Sequence, residues 1–358
     1  MSTLAYEVEK LGAEKVMLSP SSRTMLGQVD AVVFDCDGVL IDVRRSYDLA
    51  ILRTATSMLD GFAGWSMPLE RFGGELILSI RGTGGFNDDW DTAYAMTIFS
   101  ALAVGNGPSG VGASAAVRKL RELVKGFSSR ERLKGRASVD EYLQQEGLES
   151  SLTVRLREYI DYRVDPAHTL MTRVFDEMYY GGEMFQRIFG EKPTASTGEG
   201  LMEKERVLIT AESLKRLKKL LGGTRIAMAT GRPFVAVQYT LGPLLQYFDQ
   251  EASVYIGDGD VYPELAPQLM EFKKPSGASL VRAYREFSSN ALLYVGDSAE
   301  DRLMVRDAER TCGQLLFGGI YGTSFNEADQ IAYFTRNGSD VVARTVQSVP
   351  LILERLRA

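Results

Sequence analysis

The stretch "VVFDCDGVLID", residues 32–42, joins the pattern of a buried strand to three carboxylates, Asp35, Asp37 and Asp42, with Gly38 among them. Its β-branched and aromatic residues predict a strand that ends at the first carboxylate. Charge at the end of a buried strand is costly unless a cation or hydrogen-bond donors receive it. An Asx-type turn would explain "FDCDG" alone, so the meaning of the stretch depends on partners from the rest of the chain.

Strand and helix patterns alternate after residue 204. Helical patterns separate the strand patterns "TRIAMAT" (224–230), "SVYIG" (253–257), "NALLYVGDS" (290–298) and "CGQLLFGGIYG" (312–322). This alternation predicts a doubly wound parallel sheet covered by helices on both faces, and the first strand belongs to the same sheet. The predicted fold class is therefore α/β with a Rossmann-like core.

Residues 43–203 carry helical patterns instead of this alternation. Apolar residues recur at spacings of three and four, as in "RRSYDLAILRTATSMLDGF" (44–62), and a last helical stretch covers 165–190, opened by an Asp-Pro pair. A chain of 358 residues is long enough for about two domains. We therefore predict a core domain from 1–42 and 204–358, with a helical domain inserted at 43–203.

The composition excludes several classes of function. The chain is 45% hydrophobic and 25% charged, with a formal net charge of -6, which argues against nucleic acid as a partner. No apolar run approaches the ~20 residues that span a bilayer, so no membrane partner is expected. The start, "MSTLAYEVEKLGAEKV", lacks the apolar segment of a signal peptide, and we expect a cytoplasmic protein.

Cysteine and histidine are too scarce for most chemistry that depends on them. The two cysteines, Cys36 and Cys312, cannot form a disulfide framework or a thiolate zinc site alone. His168 is the only histidine, and its place in the chain favours a residue at a helix start over a catalytic base. Catalysis by this chain would therefore use carboxylates, lysine and a hard metal ion.

Polar residues gather where the predicted parallel strands end. "IAMATGRP" gives Thr230 and Gly231, and "LLYVGDSAEDR" gives Asp297 and Asp301. Between them, "EFKKPSG" supplies a lysine, either Lys273 or Lys274, and the proline spacing favours Lys274. Ligands of open parallel sheets bind beyond the carboxyl ends of the strands, so these side chains are expected to converge with Asp35 and Asp37.

The segments "VVFDCDGVL", "MATGRP", "KKP" and "VGDSAEDRLMVRDA" resemble, in order, the four motifs of the haloacid dehalogenase-like superfamily of phosphohydrolases. The resemblance covers roughly residues 25–42 and 204–345. The inserted helical region lies where subfamily I of that superfamily carries its C1-type cap, which supplies the specificity contacts. The acid at Asp37 favours cleavage of a phosphate ester over displacement of halide or cleavage of a carbon–phosphorus bond.

The resemblance implies a role for each matched residue. Asp35 would be the nucleophile that forms an aspartyl-phosphate, and Asp37 the general acid and base. Mg²⁺ would bind the Asp35 carboxylate, the Asp37 backbone carbonyl and Asp297, with Asp301 holding the metal or its waters. The phosphate group would be bound by Gly38, Thr230, Gly231 and Lys274.

The implied activity is Mg²⁺-dependent hydrolysis of a small phosphorylated metabolite. Two alternatives stay open from the sequence. A phosphomutase could pass the phosphoryl group from Asp35 to a sugar, and a non-catalytic sensor could bind a phosphorylated ligand without turnover. Binding alone would not need Asp37, which argues against the sensor.

The stretch "SIRGTGGFNDDWDTAYA", residues 79–95, is the strongest candidate for substrate contacts in the inserted domain. A capped helix after a tight loop explains most of its residues, yet its density of polar groups exceeds what a cap requires. An arginine just after the first motif could also bind an anionic substrate. The candidate substrate-binding residues are Arg45, Arg81, Gly85, Asn87 and Asp88.

Two further glycine-rich stretches admit other interpretations. "VGNGPSGVGASAAVRKL", residues 104–120, matches a dinucleotide-binding spacing and also resembles the phosphate loop of GHMP kinases, but a turn between helices explains it better. "YIGDGDVYPEL", residues 255–265, resembles a calcium loop superficially, and we expect Asp258 and Asp260 near the rim of the phosphate site.

Overall fold

A computed structural model describes residues 6–12, 14–83, 85–86, 88–105, 113–130, 133–165, 168–195, 198–324 and 326–357. The chain divides into two compact units, one formed by Met1–Val43 with Glu205–Ala358 and the other by Arg44–Lys204. The two units are described one after the other.

The first unit is an α/β fold around a mostly parallel sheet, as predicted. The strands described in the first unit are β1 Glu7–Leu11, β2 Glu14–Leu18, β3 Ala31–Phe34, β4 Ile41–Asp42, β5 Arg206–Val207, β6 Ile226–Thr230, β7 Val254–Tyr255, β8 Ala291–Gly296, β9 Gln314–Ile320 and β10 Val341–Ala343. The spatial order in the main sheet is β1, β2, β10, β9, β8, β3, β6 and β7.

The central strand β3 is buried over its whole length and pairs in parallel with β8 and β6. Its side chains alternate between two apolar layers, with Val32 and Phe34 in one and Ala31 and Val33 in the other. A strand with helices on both faces needs apolar residues at every position, which explains its continuous apolar pattern.

Helices and a short ribbon complete the first unit. β4 and β5 pair antiparallel apart from the main sheet, and the Leu208 N–H donates to the Leu40 carbonyl at 2.8 Å. The helices of this unit are α1 Arg23–Gly27, α10 Ala211–Leu220, α11 Phe234–Leu241, α12 Asp258–Val261, α13 Ala266–Leu269, α14 Ala278–Glu286, α15 Ala299–Ala308, α16 Glu327–Arg336 and α17 Ser348–Arg357.

The regular elements described in the second unit are helices. Its helices are α2 Tyr47–Ala63, α3 Gly73–Arg81, α4 Asp89–Val104, α5 Ala113–Ser128, α6 Gly135–Gln145, α7 Ser151–Ile160, α8 Leu170–Tyr180 and α9 Gly182–Phe189. The helical pattern of residues 165–190 corresponds to two helices that start later than predicted. Thr169 caps α8, and Gly181, at φ 77°, separates α8 from α9.

Within the described part of the chain, we find no helix with both the length and the apolar character needed to cross a membrane.

Candidate active site

Asp35 follows β3 directly and lies at the carboxyl edge of the sheet. Its backbone N–H donates to the Val295 carbonyl of β8 at 2.8 Å, so the register carries Asp35 alongside the end of β8. The residue is 7% exposed, and its Oδ1 accepts the Cys36 N–H at 2.8 Å. Cys36 itself is buried in the apolar core.

Lys274 lies between two carboxylates that are far apart in the sequence. Its Nζ is 2.9 Å from Asp35 Oδ2 and 2.7 Å from Asp301 Oδ1. The Lys274 side chain is 13% exposed, whereas Lys273 is exposed. The structure therefore brings Lys274, and not Lys273, to Asp35.

Asp301 is held by several donors at the start of α15. Its Oδ2 accepts the Ser298 hydroxyl at 2.7 Å and the backbone N–H groups of Asp297 and Ser298 at 3.1 and 3.0 Å. Its Oδ1 accepts the buried Tyr294 hydroxyl at 2.8 Å, in addition to Lys274. Asp301 thus has a fixed orientation before any ligand binds.

Asp35, Asp297 and Asp301 form a carboxylate cluster that could hold a metal ion. One oxygen from each lies within 4.8 Å of the others. Gly38, at φ 75°, lies against this cluster, and a Cβ built there would overlap the Asp297 carboxylate. The Gly38 carbonyl is fixed by the Thr323 hydroxyl at 2.8 Å. Absence of a side chain at Gly38 leaves room for the Asp297 carboxylate.

The cluster has unusual electrostatics because its charges are buried together. Burial, opposed by Lys274 and supported by Asp301, raises the pKa of Asp35 to about 7. Burial and the neighbouring Asp301 and Asp35 raise the pKa of Asp297 well above its usual range. Burial alone would raise the pKa of Asp301 too, but Lys274, Ser298 and Tyr294 outweigh it and lower that pKa. A divalent cation would relieve the repulsion between these groups.

Lys274 is the charge that balances this cluster. Burial alone would lower its pKa, but the carboxylates of Asp301 and Asp35 raise that pKa well above the usual lysine value. The ammonium group therefore stays charged beside Asp35.

Asp37 is held by a buried arginine. Arg232 Nε donates to Asp37 Oδ1 at 2.8 Å, and the arginine also pairs with Glu205. Burial raises the pKa of Asp37, Arg232 lowers it, and Glu205 raises it again, with a net shift upward.

Thr230 is the last residue of β6, and Gly231 follows it. Thr230 is 0% exposed, and its Oγ1 accepts the Arg232 N–H at 3.1 Å. Gly231 is exposed, with open space where a Cβ would lie. Parallel pairing of β6 with β3 brings both residues to the edge that carries Asp35.

The substrate-binding residues predicted in the second unit have structural roles there. Arg81 pairs with Asp48 at 2.8 Å and with Asp89. The Gly85 carbonyl accepts the Gly135 N–H at 2.6 Å, and Asp88 caps α4 by accepting the Trp90 N–H at 2.9 Å. These contacts fit the capped-helix interpretation, and substrate binding by Arg81, Gly85 and Asp88 stays a prediction.

Of the other two predicted substrate-binding residues, one is exposed and the other lies outside the described part of the chain. Arg45 is exposed, just before α2. Asn87 lies outside the described residues, as do the glycines 107 and 110 of the dinucleotide-like stretch. Substrate binding by Arg45 and Asn87 also stays a prediction.

Three other polar residues singled out in the sequence lie in different settings. Asp42 belongs to the β4–β5 ribbon and pairs with Arg206 at 3.1 Å. Asp258 accepts the Phe234 N–H at 2.6 Å and so caps α11. His168 precedes α8, where it lies between Asp165 and Asp176, 2.9 and 3.3 Å away.

Sequence reasoning missed four side chains that hold the candidate site in place. Tyr294 lies in the middle of a buried strand, three residues before Asp297. A buried tyrosine hydroxyl needs a hydrogen-bond partner, so the sequence alone indicates a polar contact for Tyr294 near the site. Arg232 stands inside the quoted "MATGRP" without an assigned role. Ser298 opens a helix directly after a strand, the usual place of an N-cap. Glu205 gives no signal in the sequence.

No family model matches the chain, and no curated protein matches it. Solved structures do resemble it. An X-ray structure of a Northeast Structural Genomics Consortium target has a TM-score of 0.57 at 18% identity, over 92% of this chain and 99% of that one. Phosphatase Tt82 from Thermococcus thioreducens has a TM-score of 0.53 at 22% identity, over 86% of this chain and 99% of that one. At these identities the likeness is one of fold.

Proposed function

We propose that the protein is a Mg²⁺-dependent phosphatase of the haloacid dehalogenase-like type that hydrolyses a small phosphate monoester. The observation that carries the proposal is the position of Lys274, within hydrogen-bond distance of both Asp35 and Asp301. A nucleophilic carboxylate, a fixed cation and a metal-binding cluster are the groups that phosphoryl transfer needs. The fold shared with a solved phosphatase supports the same proposal.

The first step transfers the phosphoryl group to Asp35. Its carboxylate oxygen attacks the phosphorus atom, the bond from phosphorus to the ester oxygen breaks, and the Asp37 proton passes to that departing oxygen. Lys274 and Thr230 would stabilise the equatorial oxygens of the phosphoryl group.

The second step returns the chain to its starting state. Water attacks the phosphorus atom, its proton passes to Asp37, and the bond to Asp35 breaks to release inorganic phosphate.

The carboxylate cluster fits Mg²⁺, which prefers hard oxygen ligands and keeps several waters. When bound, the ion would neutralise negative charge on the phosphoryl oxygens and so favour attack by Asp35. Asp35, Asp297 and the Asp37 carbonyl would bind it directly. Asp301 already accepts five hydrogen bonds on its two oxygens, so it would act through waters and through Lys274.

The decisive experiment measures Mg²⁺-dependent hydrolysis of an aryl phosphate by the wild type and by Asp35→Asn. We expect activity that needs Mg²⁺ and falls to background in Asp35→Asn, because the amide cannot form the aspartyl-phosphate. Asp60→Asn, an exposed position on α2, serves as the matched control and should keep full activity. Undiminished activity in Asp35→Asn would contradict the mechanism, and ligand binding without turnover by the wild type would favour the sensor.

The substrate class follows from the sequence prediction and is a small phosphorylated metabolite. A panel of such compounds, compared by kcat/KM, would identify the preferred one. Product analysis with sugar phosphates would separate hydrolysis from transfer to a second position of the sugar.

A further inference from the structure

Arg232 is a fully buried arginine beside the candidate site. Its side chain is 0% exposed, and arginine is almost never fully buried unless its charge is paired. Nη1 and Nη2 donate to the two carboxyl oxygens of Glu205 at 2.8 and 2.6 Å, and Nε donates to Asp37 Oδ1 at 2.8 Å. One guanidinium therefore joins a fully buried carboxylate to the carboxylate assigned as acid and base.

The arginine is fixed from both ends. Its backbone N–H donates to Thr230 Oγ1 at 3.1 Å, directly after β6. Glu205 precedes β5, which pairs with β4, and its Oε2 also accepts the Thr240 hydroxyl of α11 at 2.9 Å. The Glu205 side chain is 0% exposed. Glu205 thus holds the Nη1 and Nη2 ends of the Arg232 guanidinium, while Nε donates to Asp37.

Stability alone explains this arrangement poorly. A buried ion pair seldom stabilises a protein more than well-packed apolar side chains of the same size would. Its particular strength is geometric, because the planar fork of arginine fixes the direction of each hydrogen bond. Asp37 needs such a fixed direction, since its own side chain is 31% exposed and packing constrains it less than it constrains Arg232.

We propose that Arg232, clamped by Glu205, is the positioning residue that aims the Asp37 carboxyl at the leaving oxygen. This inference rests on the proposed phosphatase function. A general acid works only within hydrogen-bond reach of the atom that receives its proton. An ester whose departing alcohol is weakly acidic depends strongly on that proton, whereas an ester of an acidic phenol depends on it little.

The test compares kcat/KM for an alkyl phosphate and for p-nitrophenyl phosphate in Arg232→Met, Arg232→Lys and Glu205→Gln. We expect Arg232→Met to lower kcat/KM about 100-fold for the alkyl ester, the lower range for loss of general acid catalysis, and under about 10-fold for the aryl ester. Arg232→Lys keeps the positive charge but loses the planar fork, and its losses should fall between wild type and Arg232→Met. Glu205→Gln weakens the ion pair that holds Arg232. It should therefore also lower the ratio of kcat/KM for the alkyl ester to kcat/KM for the aryl ester.

The matched control is Arg225→Met, at the opposite end of β6. Arg225 pairs with Asp30 at 3.3 Å, and its Nε donates to the Asp30 carbonyl at 2.6 Å. Arg225→Met therefore also removes an arginine–carboxylate ion pair, but one that does not involve Asp37. This variant should leave the alkyl-to-aryl ratio at the wild-type value, even if its unfolding midpoint falls.

Two outcomes overturn the inference and differ from each other. Equal losses on both esters in every folded Arg232 and Glu205 variant, with an active wild type, would show that the pair is only structural. Absence of hydrolysis of both esters by the wild type would overturn the proposed function and the inference with it. If Arg232→Met does not fold, the ratio measured for Arg232→Lys and Glu205→Gln decides.

Discussion

Gly38 is required at its position for two separate reasons. Its φ of 75° lies in the left-handed region, and a Cβ there would overlap the Asp297 carboxylate. Gly222 has nearly the same φ, 73°, but open space around its missing Cβ. The pair therefore separates backbone strain from obstruction of the site.

We predict that Gly38→Ala and Gly222→Ala each lose about 1–2 kcal/mol of unfolding free energy to left-handed strain. Only Gly38→Ala should also displace Asp297, so its Mg²⁺-dependent phosphatase activity should fall at least tenfold. Urea unfolding and initial rates on one aryl phosphate measure the two effects. Equal activities in the two variants would mean that the Asp297 carboxylate moves aside at no cost.

His168 makes stability depend on pH. Burial lowers its pKa, but the hydrogen bonds and charges of Asp176 and Asp165 outweigh this, and the pKa is raised. Arg173 also pairs with Asp165, at 2.9 Å, and Phe185 and Phe189 pack on the imidazole ring. A raised histidine pKa stabilises the fold most below pH ~6.5, and that stabilisation is lost as pH rises through the folded-state pKa.

We predict that His168→Gln destabilises the protein more at pH 6 than at pH 9. Gln keeps a polar side chain of similar size but carries no charge at either pH. Urea midpoints of the two proteins across this range give the difference, and Ser150→Ala, which removes a helix cap, should show a loss that does not vary with pH. A His168→Gln loss that is constant from pH 6 to 9 would show that the pKa of His168 is not raised in the folded protein.

The residues of the candidate site differ in how far the sequence could place them. Asp35, Thr230 and Asp297 each follow a recognisable strand pattern, and parallel strands end at one edge, so their convergence could be predicted. Arg232 and Glu205 could not be paired in this way. Their contact depends on the path of the chain after residue 204, which no local pattern encodes.

At the scale of elements, the start of α15 links helix capping to the site. Ser298 and Asp301 form a capping box, in which each side chain accepts a backbone N–H of the other. The Ser298 hydroxyl also donates to Asp301 Oδ2 at 2.7 Å. Ser150 and Thr153 form the same type of box at α7, in the other unit.

We predict that Ser298→Ala and Ser150→Ala each lose about 1 kcal/mol of unfolding free energy, the usual effect of removing an N-cap. Only Ser298→Ala should also lower kcat, because Asp301 loses a donor that fixes it beside Lys274. Denaturant unfolding and kcat on one substrate distinguish the two. If kcat in Ser298→Ala equals that in Ser150→Ala, the other hydrogen-bond donors to Asp301 are sufficient to fix its carboxylate beside Lys274.

The sequence pattern predicts some helices and strands better than others. The apolar spacing of residues 44–62 predicts a helix there, and α2 covers Tyr47–Ala63. β1, with the sequence "EVEKL", is charged and largely exposed, and among the described strands it pairs with β2 alone. β2 pairs antiparallel with β10, which lies more than 300 residues later in the chain. The sequence around β1 and β2 therefore gives no local indication that these two strands belong to the main sheet.

At the scale of the whole molecule, charge is distributed unevenly. The chain has a net charge of -6, and three of its carboxylates, Asp35, Asp297 and Asp301, meet in one cluster. Glu300 adds to this, since burial, opposed by Lys274 and supported by Asp301, raises its pKa to about 7. We therefore expect a cation bound at this cluster to stabilise the fold.

We predict that Asp297→Asn stabilises the metal-free protein at pH 7 and removes most of its stabilisation by Mg²⁺. The folded-state pKa of Asp297 is raised, so the unfolded chain ionises first and the fold loses stability as pH rises above ~4. The amide carries no charge, and the variant should gain stability at pH 7 but not at pH 3. In wild type, Mg²⁺ at 100 times its dissociation constant should add about 2.7 kcal/mol.

Thermal unfolding in a chelator and then in Mg²⁺ measures both effects of Asp297→Asn. Glu286→Gln, an exposed position at the end of α14, provides the charge-matched control and should change neither midpoint appreciably. The prediction is contradicted if Asp297→Asn is less stable than wild type in chelator and Mg²⁺ stabilises both proteins equally. The cation would then bind elsewhere. This result would also show that the Asp297 carboxylate serves the fold more than the site, because its loss would then cost packing and not relieve repulsion.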